Sequence, residues 1–323
     1  MKILVTGATG FLGKRTCEIL VSQGHQVVGI GRNRAKAPTG IKFIQADLTR
    51  PLPPEVWQEA QVVVHCAAKS SVWGKYDDFY QNNVVATRLL AKQALQQGVK
   101  CFVHISSTSV YFDSKNHQQI TEDMSLPKRK VNHYAETKFL AEQEIMKFIR
   151  KGLPCIILRP RAIFGVGDSA LLPRLLKVNN EKFFPEFTDN GGPLTDITYV
   201  DNVVEAIVCA LHAPKSCHGQ IYNITNGESI LIQQTVKQLV ENLGYSYHGK
   251  RIPFDLAKMY ACFLEKWYQL FYPEKEPPFT VYSISLIAKD QTFCMDKARR
   301  ELGYQPKVTI AQGLAYVTRH WKH

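Results

Sequence analysis

A chain of 323 residues, 45% hydrophobic and 21% charged, has a globular composition and the length for two lobes rather than one small core. It has no apolar run of eighteen residues, which excludes a spanning helix, and no secretory leader is expected ahead of its first strand. A formal charge of +12 favours anionic partners, but the basic residues are dispersed and the one tight cluster, Lys128-Arg129-Lys130, reads as a solvated loop rather than a nucleic-acid site.

Ile3-Leu4-Val5 predicts a short buried strand. Gly7, Gly10 and Gly13 follow at three-residue spacing, and an apolar-periodic stretch through Phe11, Leu12, Cys17, Ile19 and Leu20 predicts a helix that Gly24 ends. Strand, glycine turn and helix are the setting of a dinucleotide fingerprint, with the phosphates at the helix N-terminus. Gly7 allows the tight turn, Gly10 a close backbone approach to pyrophosphate, and Gly13 close packing of helix on strand. Thr9, Phe11 and Leu12 complete the cofactor-binding turn. Gln26–Gly31 predicts a second strand. It ends in Arg32-Asn33-Arg34, where an NAD-preferring fold usually carries an acid for the ribose 2′-OH. A guanidinium there can pair with a 2′-phosphate, which favours NADP over NAD.

Residues 41–44 predict a third strand, followed by Asp47-Leu48. Asp47 suits either an adenine amino group or a turn cap. Residues 61–65 predict a fourth strand, and the small residues of Cys66-Ala67-Ala68 after it leave room for a ligand. Tyr76–Gln97 reads as a helix in which Asn83 either bends the helix through a water or faces solvent. Residues 100–105 predict a fifth strand that ends in Ser106-Ser107-Thr108-Ser109. The alternation of strands and helices predicts an α/β fold with a parallel, doubly wound Rossmann-type sheet. The eight cysteines form no C-x-x-C pair, so reduced thiols in a cytoplasmic protein and no metal site are expected.

A long helix is predicted from about Val131 to Lys151. It carries Tyr134 and Lys138 four residues apart, on one face. A nearby ammonium favours phenolate and lowers the pKa of a tyrosine, which then serves as a general acid and base. Ser107 is placed to hydrogen-bond the same substrate oxygen.

Together, Gly7-x-x-Gly10-x-x-Gly13, Asp47-Leu48, Cys66-Ala67-Ala68, Ile105 to Tyr111 and Tyr134-x-x-x-Lys138 resemble the extended short-chain dehydrogenase/reductase family over nearly the whole chain. The resemblance implies Tyr134 as catalytic acid/base, Lys138 as its electrostatic partner and ribose ligand, Ser107 as the substrate-oxygen ligand and Asn83 as a water-holding support. Arg159-Pro160-Arg161-Ala-Ile163-Phe-Gly165-Val-Gly167-Asp168 is similar to a segment of the branch that holds 3β-hydroxysteroid dehydrogenases and related sterol and β-hydroxyacid enzymes. There the backbone after the proline lines the nicotinamide, so Pro160, Arg161 and Ile163 join the cofactor-binding set. Arg161 is alternatively a substrate contact or a structural ion-pair partner. A homodimer through the Tyr134–Lys138 helix is also implied.

Residues 1–165 are expected to form mainly the dinucleotide-binding domain and 166–323 mainly a smaller substrate lobe, with returns to the first near 195–225. Within the second, Phe254 to Tyr272 has helical spacing and many aromatics. It either packs the lobe's core, walls an apolar substrate, or meets a membrane. These features predict an NADP-dependent oxidoreductase that interconverts a secondary alcohol and a ketone on an apolar, sterol-like or β-keto/β-hydroxy acyl substrate. The alternatives are a nucleotide-sugar epimerase or dehydratase, and a non-catalytic NADP-binding sensor.

Overall fold

The computed structural model describes residues 1–168, 171–181, 183–188 and 191–321. Strands β1 (Lys2–Thr6), β2 (Gln26–Gly31), β3 (Lys42–Gln45), β4 (Val62–His65), β5 (Cys101–Ile105), β6 (Cys155–Pro160) and β7 (Ile221–Ile224) form the central sheet. All neighbours are parallel, in the order β7-β6-β5-β4-β1-β2-β3. The order reverses between β1 and β4, so a crevice opens at their C-terminal ends, where such sheets take ligands.

Alternation along each strand loads both faces of the sheet. Ile3 and Val5 point to one side, against Cys17 and Leu20 of α1 (Phe11–Ser22). Leu4 points to the other, into a cluster that holds Leu90 of α2 (Ala86–Gln96) and Ile145 of α3 (His133–Ile149). Helix α4 (Val200–His212) joins α1 on the first face through Ala206, Ile207 and Ala210. The runs of β-branched residues expected of doubly covered strands are therefore buried throughout, as in Val62–His65.

The helix expected over Tyr76–Gln97 is present but not uniform. One turn, Tyr76–Phe79, leads into a π-helical segment, Tyr80–Val85, before α2 begins. Asn83 lies in that segment with its side chain buried.

The chain crosses between the lobes in both directions. His117–Ile120, from the first half, joins a small second sheet with Gln291–Phe293, Leu194–Asp196 and Ser229–Leu231. β7, from the second half, closes the edge of the central sheet. The second lobe also carries α5 (Phe254–Phe271) and α6 (Val281–Leu286).

Candidate active site

The glycine turn leaves β1 with Gly7 at φ +69°, a conformation that favours glycine. A Cβ on Gly7 would meet the Ala67 backbone at 2.8 Å, so the segment after β4 packs directly on the turn. A Cβ on Gly13 would sit 2.2 Å from the Gly7 carbonyl oxygen, which makes glycine obligatory for α1 to start this close to β1. Gly10 caps α1 with no side-chain hydrogen bond, and no acidic residue stands in the first turn. The helix N-terminus therefore keeps its donors and its positive dipole end for an anion, and the cradle fits a dinucleotide. Thr9 lies against Gly31, where a Cβ would meet the threonine side chain at 3.1 Å. Phe11 and Leu12 pack toward the second-lobe core.

At the end of β2, Arg32 donates from Nη1 to Asn82 Oδ1 at 3.2 Å and remains exposed. Asn33 caps the short turn of helix Arg34–Lys36 by accepting from the Ala35 amide. Asp47 accepts from both the amide and the hydroxyl of Thr49 at 2.9 Å, so of its two sequence readings the turn cap is formed. Those hydrogen bonds hold its carboxyl below the ordinary value. Leu48 packs against the sheet core, and Ala68 lies between Ala67 and Lys69 in the stretch after β4. Cys66 is half-buried beside Thr16 of α1, and desolvation pushes its thiol up to about 12.

Asn132 begins α3 by accepting from the Ala135 amide at 2.8 Å. This cap places Tyr134 in the first turn. Lys138 follows one turn later on the same face, and Glu142 one turn after that. Ser107 stands two residues past β5, and its hydroxyl accepts from the Ser109 amide at 3.1 Å while hydrogen-bonding the Tyr134 phenol. Its neighbours are committed elsewhere: the Ser106 hydroxyl donates to Glu142, and the Thr108 hydroxyl to the Pro160 carbonyl at 3.4 Å. Ser107 is thus the hydroxyl paired with Tyr134.

The protonation states differ from the sequence expectation. Burial pushes the Tyr134 phenol up to about 12, although the Ser107 hydrogen bond acts in the lowering direction. The lowering expected from Lys138 is absent because that ammonium is itself desolvated, its pKa brought down to about 8, and it donates to the Ile105 carbonyl at 2.5 Å. The phenol is therefore a protonated acid at neutral pH.

A buried network holds this pair in place. Arg159 grips Glu142 with two hydrogen bonds, Nε–Oε1 at 2.8 Å and Nη2–Oε2 at 2.6 Å. It also donates to the Tyr111 hydroxyl at 2.5 Å, which in turn donates to Asn223 Oδ1 of β7 at 3.0 Å. Asn83 is held by the chain itself: its Oδ1 accepts from the Lys69 amide at 2.7 Å, and its Nδ2 donates to the Lys69 carbonyl and to Thr137 Oγ1. It ties the segment after β4 to the face of α3 next to Lys138, and the π-helical turn is what lets it reach inward. His65 is held between Thr6 and Thr87, and burial keeps its imidazole and that of His104 neutral.

The structure adds residues that the sequence reading left out. Glu142 was legible from the spacing 134, 138, 142 on one helix face. Tyr282 of α6 was not, because nothing in its local sequence links it to α3. Its ring packs edge-on against Phe112 at 5.2 Å, and its phenol acts electrostatically on Tyr134 and on Arg161. Arg161 itself is only 4% exposed. Its Nη2 donates to Thr195 at 3.0 Å, its Nε has no hydrogen-bond partner, and its planar head lies over the Phe293 ring. Among the described residues no carboxylate stands within ion-pair distance of it, and the charge that acts on it from farther away is that of Asp196. Pro160 ends β6, and Ile163 bridges to Thr198 on the far side of Arg161.

The model of the NAD dependent epimerase/dehydratase family matches residues 3–225. The chain is 32% identical to a 2-alkyl-3-oxoalkanoate reductase of Stenotrophomonas maltophilia, across 97% of each chain. It is also 32% identical to 3beta-hydroxysteroid-dehydrogenase/decarboxylase isoform 1 of Arabidopsis thaliana, across 99% of this chain and 79% of that one. Among solved structures, a UDP-glucuronic acid 4-epimerase from Bacillus cereus in complex with NAD superposes with a TM-score of 0.77 at 24% identity, covering 99% and 96% of the two chains, a likeness of fold alone. With the glycine cradle, the Ser107–Tyr134 pair and Lys138 at the C-terminal end of the central sheet, and with relatives that match end to end, this chain belongs to the NAD dependent epimerase/dehydratase family of extended short-chain dehydrogenases/reductases.

Proposed function

We propose that the protein is an NADPH-dependent ketoreductase whose substrate is an apolar ketone bearing a carboxylate near the carbonyl, a β-keto acid in its simplest form. The observation that carries the reading is the Ser107–Tyr134 pair, a protonated phenol held by a hydroxyl just past β5. A nicotinamide cofactor held at the glycine turn would supply hydride to the carbonyl carbon. Tyr134 Oη donates its proton to the carbonyl oxygen as negative charge develops there, and the Ser107 hydroxyl donates a hydrogen bond to the same oxygen. In this reading Lys138 holds the ribose, and the phenolate left behind is reprotonated from solvent. A resting phenol at about 12 is charged with its proton, which suits the reductive direction.

Arg161 supports the acid substrate. A guanidinium this buried, with a free Nε and only the more distant charge of Asp196 acting on it among the described carboxylates, is costly unless a closer anion joins it. The named relatives act on an oxoalkanoate and a hydroxysteroid. Arg32, exposed at the end of β2 where an acid would select NAD, supports NADP.

Residues 1–165 then hold the cofactor, and 166–323 shape the substrate cleft. A homodimer through α3 rests on the family likeness; Ile145, Met146, Phe148 and Ile149 are already packed in the chain's own core. In this reading the enzyme works in the cytoplasm and draws apolar substrate from a membrane surface.

The test follows NADPH oxidation with a 2-alkyl-3-oxo acid, its methyl ester, a 3-oxosteroid and a UDP-4-keto-sugar. Turnover of the acid is expected, with KM raised at least about tenfold by Arg161→Met, while the ester is unaffected. Turnover confined to the sugar nucleotide refutes the reading.

A further inference from the structure

Helix α5 presents an apolar face to solvent that no described residue covers. At 100° per residue, Leu256, Met259, Tyr260, Phe263, Trp267 and Leu270 fall on one arc of about 100°, and Phe271 extends it to about 120°. All are exposed, Leu270 at 74%, Met259 at 65% and Phe263 at 59%. The neighbouring arc is the one that packs: Ala257 and Ala261 are buried against Phe279 and Ile284. The third arc is polar and carries Lys258 and Lys266. The expectation that this stretch packs the lobe's core thus holds for a minority of its apolar residues.

We infer that the outer face of α5 docks on an anionic lipid bilayer, lying in the interface with its aromatic and aliphatic side chains in the acyl boundary and its lysines toward the headgroups. No helix of the described residues is long and apolar enough to cross a membrane, so α5 lies on the surface. Trp267, Tyr260 and Tyr272 are side chains that favour the headgroup level.

Charge selects the occupant. Lys250, Lys258, Lys266, Lys275 and Lys289 surround the helix, and three of them lie over the rings of its own ends: Lys258 and Lys289 over Phe254, Lys275 over Tyr272. The nearby acids are engaged: Glu265 accepts from the Val281 amide, Glu274 pairs with Lys75, and Glu276 with Arg174. Asp255 is the exposed exception. A second copy of the chain would bring the same basic rim, on a protein of net charge +12, against itself. Anionic lipid satisfies the apolar arc and the lysines together.

The position of the face gives it a purpose, and for that purpose alone the inference rests on the ketoreductase reading. The C-terminal end of α5 is held to the segment after β4, Trp73 Nε1 donating to the Pro273 carbonyl at 3.1 Å and Lys75 pairing with Glu274 at 2.6 Å. The chain then runs directly into α6, whose Tyr282 stands beside Phe112 and acts on Tyr134. A bilayer-dissolved ketone would meet the cleft one loop away from the membrane helix.

The test is co-sedimentation of the full chain with vesicles of phosphatidylcholine alone and with one-third phosphatidylglycerol, for the wild type and for Met259→Ser/Phe263→Ser/Leu270→Ser. These side chains are solvent-exposed, so the variant folds, as its thermal transition will report. Binding to the phosphatidylglycerol vesicles is expected, weaker by at least about tenfold on pure phosphatidylcholine and in the triple variant. Equal loss of binding is expected for Lys258→Glu/Lys266→Glu. Absence of vesicle binding, or binding indifferent to these substitutions, overturns the inference. So does a wild-type dimer that the triple variant abolishes, since that would assign the face to a second copy. Turnover of a short, water-soluble 3-oxo acid is measured on the same samples: its presence without vesicle binding sinks the membrane inference alone, and its absence with vesicle binding sinks the ketoreductase reading alone.

Discussion

Lys138 should be a destabilising residue kept for its chemistry, and Lys138→Met exposes the cost. In the unfolded chain this ammonium titrates near 10.5, and burial brings it down to about 8 in the folded protein. Between those values the unfolded state binds the extra proton, so stability rises with pH across that window. The cost is fully present below about 8 and is gone above 10.5. A depression of this size corresponds to about 3 kcal/mol. Methionine removes that cost at neutral pH but leaves the buried Ile105 carbonyl without its donor, at roughly 1–3 kcal/mol. The intercept therefore matters less than the slope. Urea unfolding of both proteins is measured at pH 7.5 and pH 10. The stability of the variant relative to the wild type should fall by about 2–3 kcal/mol over that interval, in step with relief of the lysine in the wild type. A relative stability that stays constant within about 0.5 kcal/mol would mean that Lys138 titrates as an ordinary surface lysine, and the electrostatic account of the site would fail.

Tyr134→Phe should cut kcat by about 10²–10⁴-fold and leave NADPH affinity, read by fluorescence titration, nearly unchanged. Retention of a tenth of the wild-type rate would remove Tyr134 from the proton-transfer role. Arg32→Asp should reverse the cofactor order, with NADPH bound more tightly by the wild type and NADH by the variant; tighter NADH binding by the wild type contradicts the NADP assignment. Gly13→Ala should lose NADPH affinity at least about tenfold or fail to fold, because its Cβ would stand 2.2 Å from the Gly7 carbonyl oxygen, and unchanged binding would show that the turn can relax.

The parts of this protein that depend on local chain chemistry were legible in the sequence. β1, the glycine turn and α1 sit where spacing and steric need put them, because each glycine answers to a contact within a few residues or to the next strand. Tyr134 and Lys138 share a face because the helix repeat demands it, and the same repeat carried Glu142, whose burial could be known only once Arg159 was seen to reach it. The choice of Ser107 over Ser106 follows from which hydroxyl is claimed by Glu142, a contact 36 residues away in sequence. Tyr282 and Arg161 belong to elements brought together by tertiary folding, so no window of sequence links them to Tyr134. Periodicity correctly gave the α5 helix but not what covers its apolar face, since the same repeat describes a face packed by the chain and one left for something else.

The central claim is net reduction of a substrate carbonyl, and it is tested most directly by the fate of the hydride. The enzyme is incubated with the 3-oxo acid and stoichiometric NADPH carrying deuterium at the transferable position of C4, and product and cofactor are analysed by mass spectrometry. The account predicts one deuterium on the carbinol carbon of a 3-hydroxy acid and an equal amount of NADP⁺. A product that is only an isomer of its substrate, unlabelled and formed with the cofactor unchanged, would contradict it and assign the site to internally recycled hydride chemistry.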